Sequence, residues 1–199
     1  MKEMLNQNAR KNGALALLLL AFFVLGCGAL KNMSKGGATD EANKLISSAN
    51  QDLKDAQKIA DDNLEEKTRE FTKAASANKA DEAQQVLDDS IKQIDEGLAK
   101  GESAADKFDK ASKLDLTDMQ KQYLTLQSQG VRKRVEAFKE FRKAVVVLRD
   151  NKGSLTKQKT RDDYMTALNN FKKLNSQADE LERKADDIAR QNPDKIKPS

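Results

Sequence analysis

"YMTALNNFKKLNSQADELERKADDI", residues 164–188, decides the fold. Its heptad carries Tyr164, Ala167/Leu168, Phe171, Leu174, Ala178, Leu181, Ala185 and Ile188. They recur at steps of three and four, which puts them on one stripe of an α-helix. A strand would need alternation with a period of two. The rest of the helix surface carries Lys, Asp, Glu and Asn, so the stripe calls for partner helices to bury it.

The same period runs through the chain upstream. Thr39 or Asp40 is a good N-cap for a first helix over 40–76, with Ala42, Leu45, Ile46, Ala49, Leu53 and Ala56 opening its stripe. That stripe has a gap around Lys67 and Thr68. Asn78 is the expected cap of a second helix over 79–113. Gly97 and Gly101 lie four apart on the buried stripe of this helix. Each costs about 1 kcal/mol relative to Ala in a helix interior. Either they permit a close helix crossing, or they let the helix bend or break near Lys100. Thr117 with Gln120 fits a capping box that opens a third helix over 117–150. Gly153 is its stop signal, and Ser154 is the expected cap of the fourth helix, over 155–191. The tail, 192–199, is expected to be loose.

Each segment is about 35 residues, or about 50 Å at a rise of about 1.5 Å per residue. Short connections favour antiparallel neighbours. The expected fold is therefore all-α, an antiparallel up-down four-helix bundle of long helices. An extended pair of hairpins, or a coiled coil completed by another chain, is the alternative.

Composition agrees. Charged residues make up 34% of the 199, aromatics 5%, and both prolines fall in the last seven positions. Ala, Lys, Glu, Gln and Leu are helix formers. A disordered chain of this charge would lack the sustained apolar period. The 36 basic and 32 acidic residues nearly cancel, to +4. Mixed signs at this balance are not the footprint of a nucleic-acid binder, and no nucleic-acid partner is expected.

The N-terminus reads differently. Lys2, Arg10 and Lys11 precede an uncharged stretch from Gly13 to Leu30, whose strongly apolar part runs from Ala14 to Leu25. That part has the length of a secretory h-region and is short for a membrane helix. At its end stands Val24-Leu25-Gly26-Cys27, with the only cysteine of the chain. These four residues resemble the lipobox of bacterial lipoproteins. The resemblance implies a signal peptide over 1–26, cleavage between Gly26 and Cys27, and acylation of the Cys27 thiol. A thiolate is the strongest nucleophile available for such an alkylation. Several acyl chains anchor firmly, at about 0.8 kcal/mol per buried CH₂. Residues 27–39, with Gly36 and Gly37, form a flexible tether. An uncleaved membrane span ending near residue 30 is the alternative. Under both readings the basic start stays in the cytoplasm and the helices face the periplasm or the exterior.

Catalytic groups are few. The chain has no histidine, so His-based triads and His metal ligands do not arise. No metal and no cofactor is expected. Adjacent acids such as Asp61-Asp62 and Asp186-Asp187 point in different directions on a helix and read as solvated faces. Tyr123, Phe138, Phe141, Tyr164 and Phe171 read as core at helical spacing, with a ligand cavity as the other option. One basic run, "VRKRVEAFKEFRK" (131–143), offers Arg132, Lys133, Arg134, Lys139, Arg142 and Lys143 as candidate contacts to an anionic surface. The competing reading is that they face the acid-rich second or first helix, or simply water.

The expected function is that of a membrane-anchored extracytoplasmic lipoprotein. Its helical domain is not an enzyme and works as an interaction or scaffold module for an envelope protein partner. A homo-oligomer is compatible with this. A binding module or carrier for a hydrophobic or anionic ligand is the alternative.

Overall fold

Three of the four sequence stripes become one long helix each, and the first becomes two. A computed structural model describes residues 37–60 and 65–196, and over them the chain is all-helical. The helices are α1 (Gly37–Lys58), α2 (Glu65–Ser76), α3 (Ala80–Ser112), α4 (Asp118–Asp150) and α5 (Gln158–Gln191). Among the described residues no helix is long and apolar enough to cross a membrane. The signal segment, Gly26 and Cys27 lie outside the described residues. So does the expected tether, except 37–39, which already belong to α1.

The single first helix expected over 40–76 is thus corrected to a pair. Ile59 and Ala60 continue α1 in a wider π-type turn, and α2 starts at Glu65. The gap in the stripe at Lys67 and Thr68 falls inside α2 and not at the division between the two helices. Both pieces nevertheless pack along α3. Lys107 pairs with Asp52, Lys100 with Asp55 at 3.1 Å, and Lys67 with Asp89 at 3.9 Å. Residue numbers fall on α3 as they rise through α1 and α2, so both pieces run antiparallel to it.

On its other side α3 meets α4. Asp106–Arg132, Glu102–Lys139, Asp95–Arg142 and Asp88–Arg149 form a second antiparallel ladder. Exposed pairs of this kind contribute only about 0–1 kcal/mol each, so they fix register more than stability. Stability comes from the stripes. Ala42, Ala49, Ala104, Ala105, Ala111 and Ala185 are all fully buried in one cluster with Ile46 and Leu124. These small side chains let the backbones approach, and Ser128 donates its hydroxyl to the Ala105 carbonyl at 3.0 Å. At the other end Phe138 packs edge-on against Phe141 and Phe171, with centroids 6.2 and 5.5 Å apart. The aromatic stripe is core, as one of its two readings held.

The helix ends show where local chemistry decided. The Thr117–Gln120 capping box is present. Asn78 is not a cap. It sits at φ 57 just after α2, with its N–H on the Ala75 carbonyl and the Lys79 N–H on the Ala74 carbonyl. That is a Schellman stop. Lys152, at φ 50, does the same after α4, and Gly153 follows at φ 74. Ser154 does not cap α5, which begins three residues beyond the expected start, after Lys157. Its hydroxyl instead accepts from the Thr156 N–H at 3.4 Å. The tail differs from a loose one up to residue 196. Ile196 is fully buried in the core, and Gln120 Nε2 donates to the Lys195 carbonyl at 3.4 Å. An apolar side chain three residues past Pro193 has a cavity to fill, and that outweighs the polar sequence around it.

Candidate functional site

The most buried charge among the described residues is Arg134, midway along α4 and 6% exposed. It occupies the apolar stripe beside Val131, Val135 and Phe138. Hydrogen bonds to three side chains of α5 hold its guanidinium. Nη1 donates to Asn175 Oδ1 at 2.7 Å, and Nη2 to Asp179 Oδ1 and Glu182 Oε2 at 2.8 Å each. Nε donates to Glu182 Oε1 at 3.2 Å. Asn175, Asp179 and Glu182 stand at intervals of four and three, on one face of α5. Gly130, one turn before Arg134, makes the approach possible. A Cβ there would lie 3.0 Å from Glu182 Cγ. Burial pushes the Glu182 carboxyl above its ordinary value. The Arg134 charge pulls it back, and Asp179 and Asp186 push in the same direction as burial.

Next to this network a groove of about 60 Å³ runs between α1, α3 and α4. Its ends are marked by Leu53 and Ala60 of α1, Gln93 and Gly101 of α3, and Val131 and Phe138 of α4. Arg134 and Glu182 contribute one wall. The two glycines of α3 play different parts here. A Cβ on Gly101 would sit 2.7 Å from Val135 Cγ2, so this glycine sets the α3–α4 contact. A Cβ on Gly97 would meet nothing within 4 Å, because Gly97 faces the groove. The helix runs unbroken through both, and close crossing describes Gly101. Gln93 Oε1 is buried with no hydrogen-bond partner among the described residues.

No protein-family model, curated protein or solved structure matches this chain. Its site is therefore read from geometry alone.

The six basic residues of 132–143 do not converge on one free surface. Arg132, Lys139 and Arg142 reach across to Asp106, Glu102 and Asp95 of α3, at 2.7, 2.7 and 2.6 Å. Lys133 pairs with Glu136 at 2.5 Å, and Lys143 with Glu140, both within α4. Arg134 faces inward. Three of the six thus pair across to α3, two within α4, and Arg134 with α5.

The buried Arg134 and the groove were missed by reading the sequence. A signal for Arg134 was present. It stands at the helical spacing of Gln127, Val131 and Phe138, where a charge interrupts an apolar stripe and requires a partner. The groove had no such signal beyond Gly97 on the same stripe. Among the described residues no three acidic or cysteine side chains gather as a metal site would require. The acids that depart from ordinary values do so for local reasons. Burial would raise Asp52, but hydrogen bonds from Lys107 and Ser103 and the charges of Lys107 and Lys100 outweigh it and hold the carboxyl low. Burial raises Asp186.

Proposed function

We propose that this chain is a membrane-anchored extracytoplasmic lipoprotein whose helical domain acts by binding an envelope protein partner and not by catalysis. In this reading Cys27 carries the lipid, the segment to residue 36 spans the gap to the membrane, and the domain stands on it. The domain is an up-down four-helix bundle in which α1 and α2 together take the first position.

The observation that carries the reading is the pair of antiparallel ion-pair ladders on both sides of α3. They hold α3, about 50 Å long, in register with its neighbours on both sides, as a rod would require. A rod on a short tether suits a scaffold. The sequence supports the same view, with no histidine and its single cysteine at the lipobox.

The test is affinity capture of the full chain from gently solubilised envelopes after mild cross-linking in cells. A stoichiometric protein partner, lost when the Cys27→Ser variant leaves the membrane, is the expected result. Repeated recovery of the chain with no such partner overturns the interaction role.

A further inference from the structure

We infer that the turn between α4 and α5 is a contact surface for an anionic phospholipid membrane, carried by Lys152, Lys157, Lys159 and Arg161. Its place in the fold comes first. Arg149 pairs with Asp88 at 3.4 Å and Lys152 lies 4.0 Å from Asp81, so the turn sits beside the start of α3. α1 begins at the opposite end, because it runs antiparallel to α3 and its Asp52 already pairs with Lys107. The 33 residues of α3 separate the two ends by about 50 Å. Screening acts over about 8 Å at physiological ionic strength, so charges at the two ends act separately.

Charge comes second. Residues 149–161 hold five basic side chains and one acid, Asp150. Arg149 takes Asp150 and Asp88. Among the described residues no carboxylate lies within 4 Å of Lys157, Lys159 or Arg161, and Lys152 reaches only the exposed Asp81. Of the other acids at this end, Glu82 pairs with Lys79 and Asp162 accepts from Gln158, both at 2.8 Å, and Asp163 is exposed on α5. The basic run of 132–143 differs, because its charges pair with carboxylates of the same chain. Lys157, Lys159 and Arg161 also flank the start of α5, whose first turn holds no acid and where cations oppose the helix dipole. Helix stability therefore does not account for them.

The turn holds these charges in place. Asn151 Nδ2 donates to the Val147 carbonyl at 2.8 Å, and Thr160 Oγ1 to Asn151 Oδ1 at 3.2 Å. Leu155 packs inward against the cluster of Ala144, Tyr164, Ala167 and Leu168, so the contact is electrostatic. Lysine ammonium groups are point charges, suited to the diffuse charge of headgroups more than to one defined anion. Clusters of about four to eight such residues hold proteins to anionic lipid. The inference deepens the interaction reading. On that reading α1 is tied to one membrane, and the turn meets a second surface about 50 Å further on. Binding of lipid by the turn requires neither an acylated Cys27 nor a protein partner, so the two proposals fail separately.

The experiment is co-sedimentation of the full chain, held in phosphatidylcholine nanodiscs, with vesicles of phosphatidylcholine alone or mixed with phosphatidylglycerol. Binding to the mixed vesicles that weakens as salt rises is expected, with none to phosphatidylcholine alone. The variant Lys152→Gln/Lys157→Gln/Lys159→Gln/Arg161→Gln, all at exposed positions, should bind at least about tenfold more weakly. If it does not fold, Lys157→Gln/Lys159→Gln should still lose several-fold. The control Lys172→Gln/Lys173→Gln/Arg183→Gln/Lys184→Gln removes the same charge from exposed positions further along α5 and should bind within about twofold of wild type. No binding to the mixed vesicles overturns the inference, as do equal binding to both vesicle types and equal loss in a folded turn variant and the control. Tighter binding to free polyglutamate than to the vesicles, at equal charge, assigns the turn to an acidic polymer and overturns it too.

Discussion

Arg134 Nη2 lies 2.8 Å from Glu182 Oε2, and Nε of the same side chain lies 3.2 Å from Glu182 Oε1. The fork is a two-pronged bridge between α4 and α5, buried where an apolar pair would ordinarily sit. A buried pair of this kind adds little over apolar residues of the same volume, but breaking it is costly. Arg134→Met alone should lower unfolding free energy by about 3–5 kcal/mol, since Glu182 and Asp179 lose their shared cation. The double variant Arg134→Met/Glu182→Leu should recover most of that loss. Urea denaturation of the four members of the cycle gives the coupling directly. Equal losses in the single and double variants would contradict the bridge.

Glu182 also sets a pH dependence with a definite sign. Its folded value lies above the ordinary 4.5, chiefly through burial. The folded chain therefore holds this proton more tightly than the unfolded chain. Its contribution is fully present below the ordinary carboxyl range and is lost as pH rises through the raised folded value. Asp186 acts in the same direction. Asp52 and Glu140 are held low, so their contributions are lost as pH falls through their folded values. Taking the wild type minus Glu182→Gln stability difference isolates the first group. That difference should decline as pH rises from about 4.5 through the raised folded value. A difference that grows with pH in this window would reverse the assignment.

Gly97 and Gly101 should part company under the same substitution. Gly97→Ala adds a carbon that meets nothing and removes backbone freedom from the unfolded chain, so it should stabilise by about 0.5–1 kcal/mol. Gly101→Ala drives a carbon to 2.7 Å from Val135 Cγ2 and should destabilise by about 1–3 kcal/mol. Adding Val135→Ala should relieve part of that loss. Thermal melts of the three variants decide the matter, and matching signs at the two glycines would not fit the geometry.

Helix positions were legible because each rests on a period or a cap. The Thr117–Gln120 box and the stop beside Gly153 emerged within a residue or two of expectation. The division between α1 and α2 had no such signal, because the gap at Lys67 and Thr68 falls inside α2. A periodic reading joins stripes, whereas packing against α3 is free to divide them. Asn78 was expected as a cap, and its backbone instead takes a left-handed stop. The pairing of Arg134 with Asn175, Asp179 and Glu182 spans more than forty positions of sequence. It depends on the rotation of α5, which leaves Leu174 and Leu181 half-buried and turns Asn175 inward. No local pattern carries that rotation.

Ile196 provides a test of the tail. It is fully buried among Tyr123, Leu124 and Ala185. Ile196→Ala should cost about 2–5 kcal/mol, as deletion of a core aliphatic does. Ending the chain at Asn192 should cost at least as much. A tail of the polar kind suggested by "NPDKIKPS" would tolerate both changes without effect, and chemical denaturation separates the two cases.

The central claim, that Cys27 fixes this domain to a membrane from outside the cytoplasm, is tested most directly by intact-mass analysis of the mature chain from expressing bacteria, wild type beside Cys27→Ser. The account predicts a wild-type chain that begins at Cys27 and carries acyl chains, and a variant without them. An unmodified wild-type chain that retains residues 1–26 would contradict it.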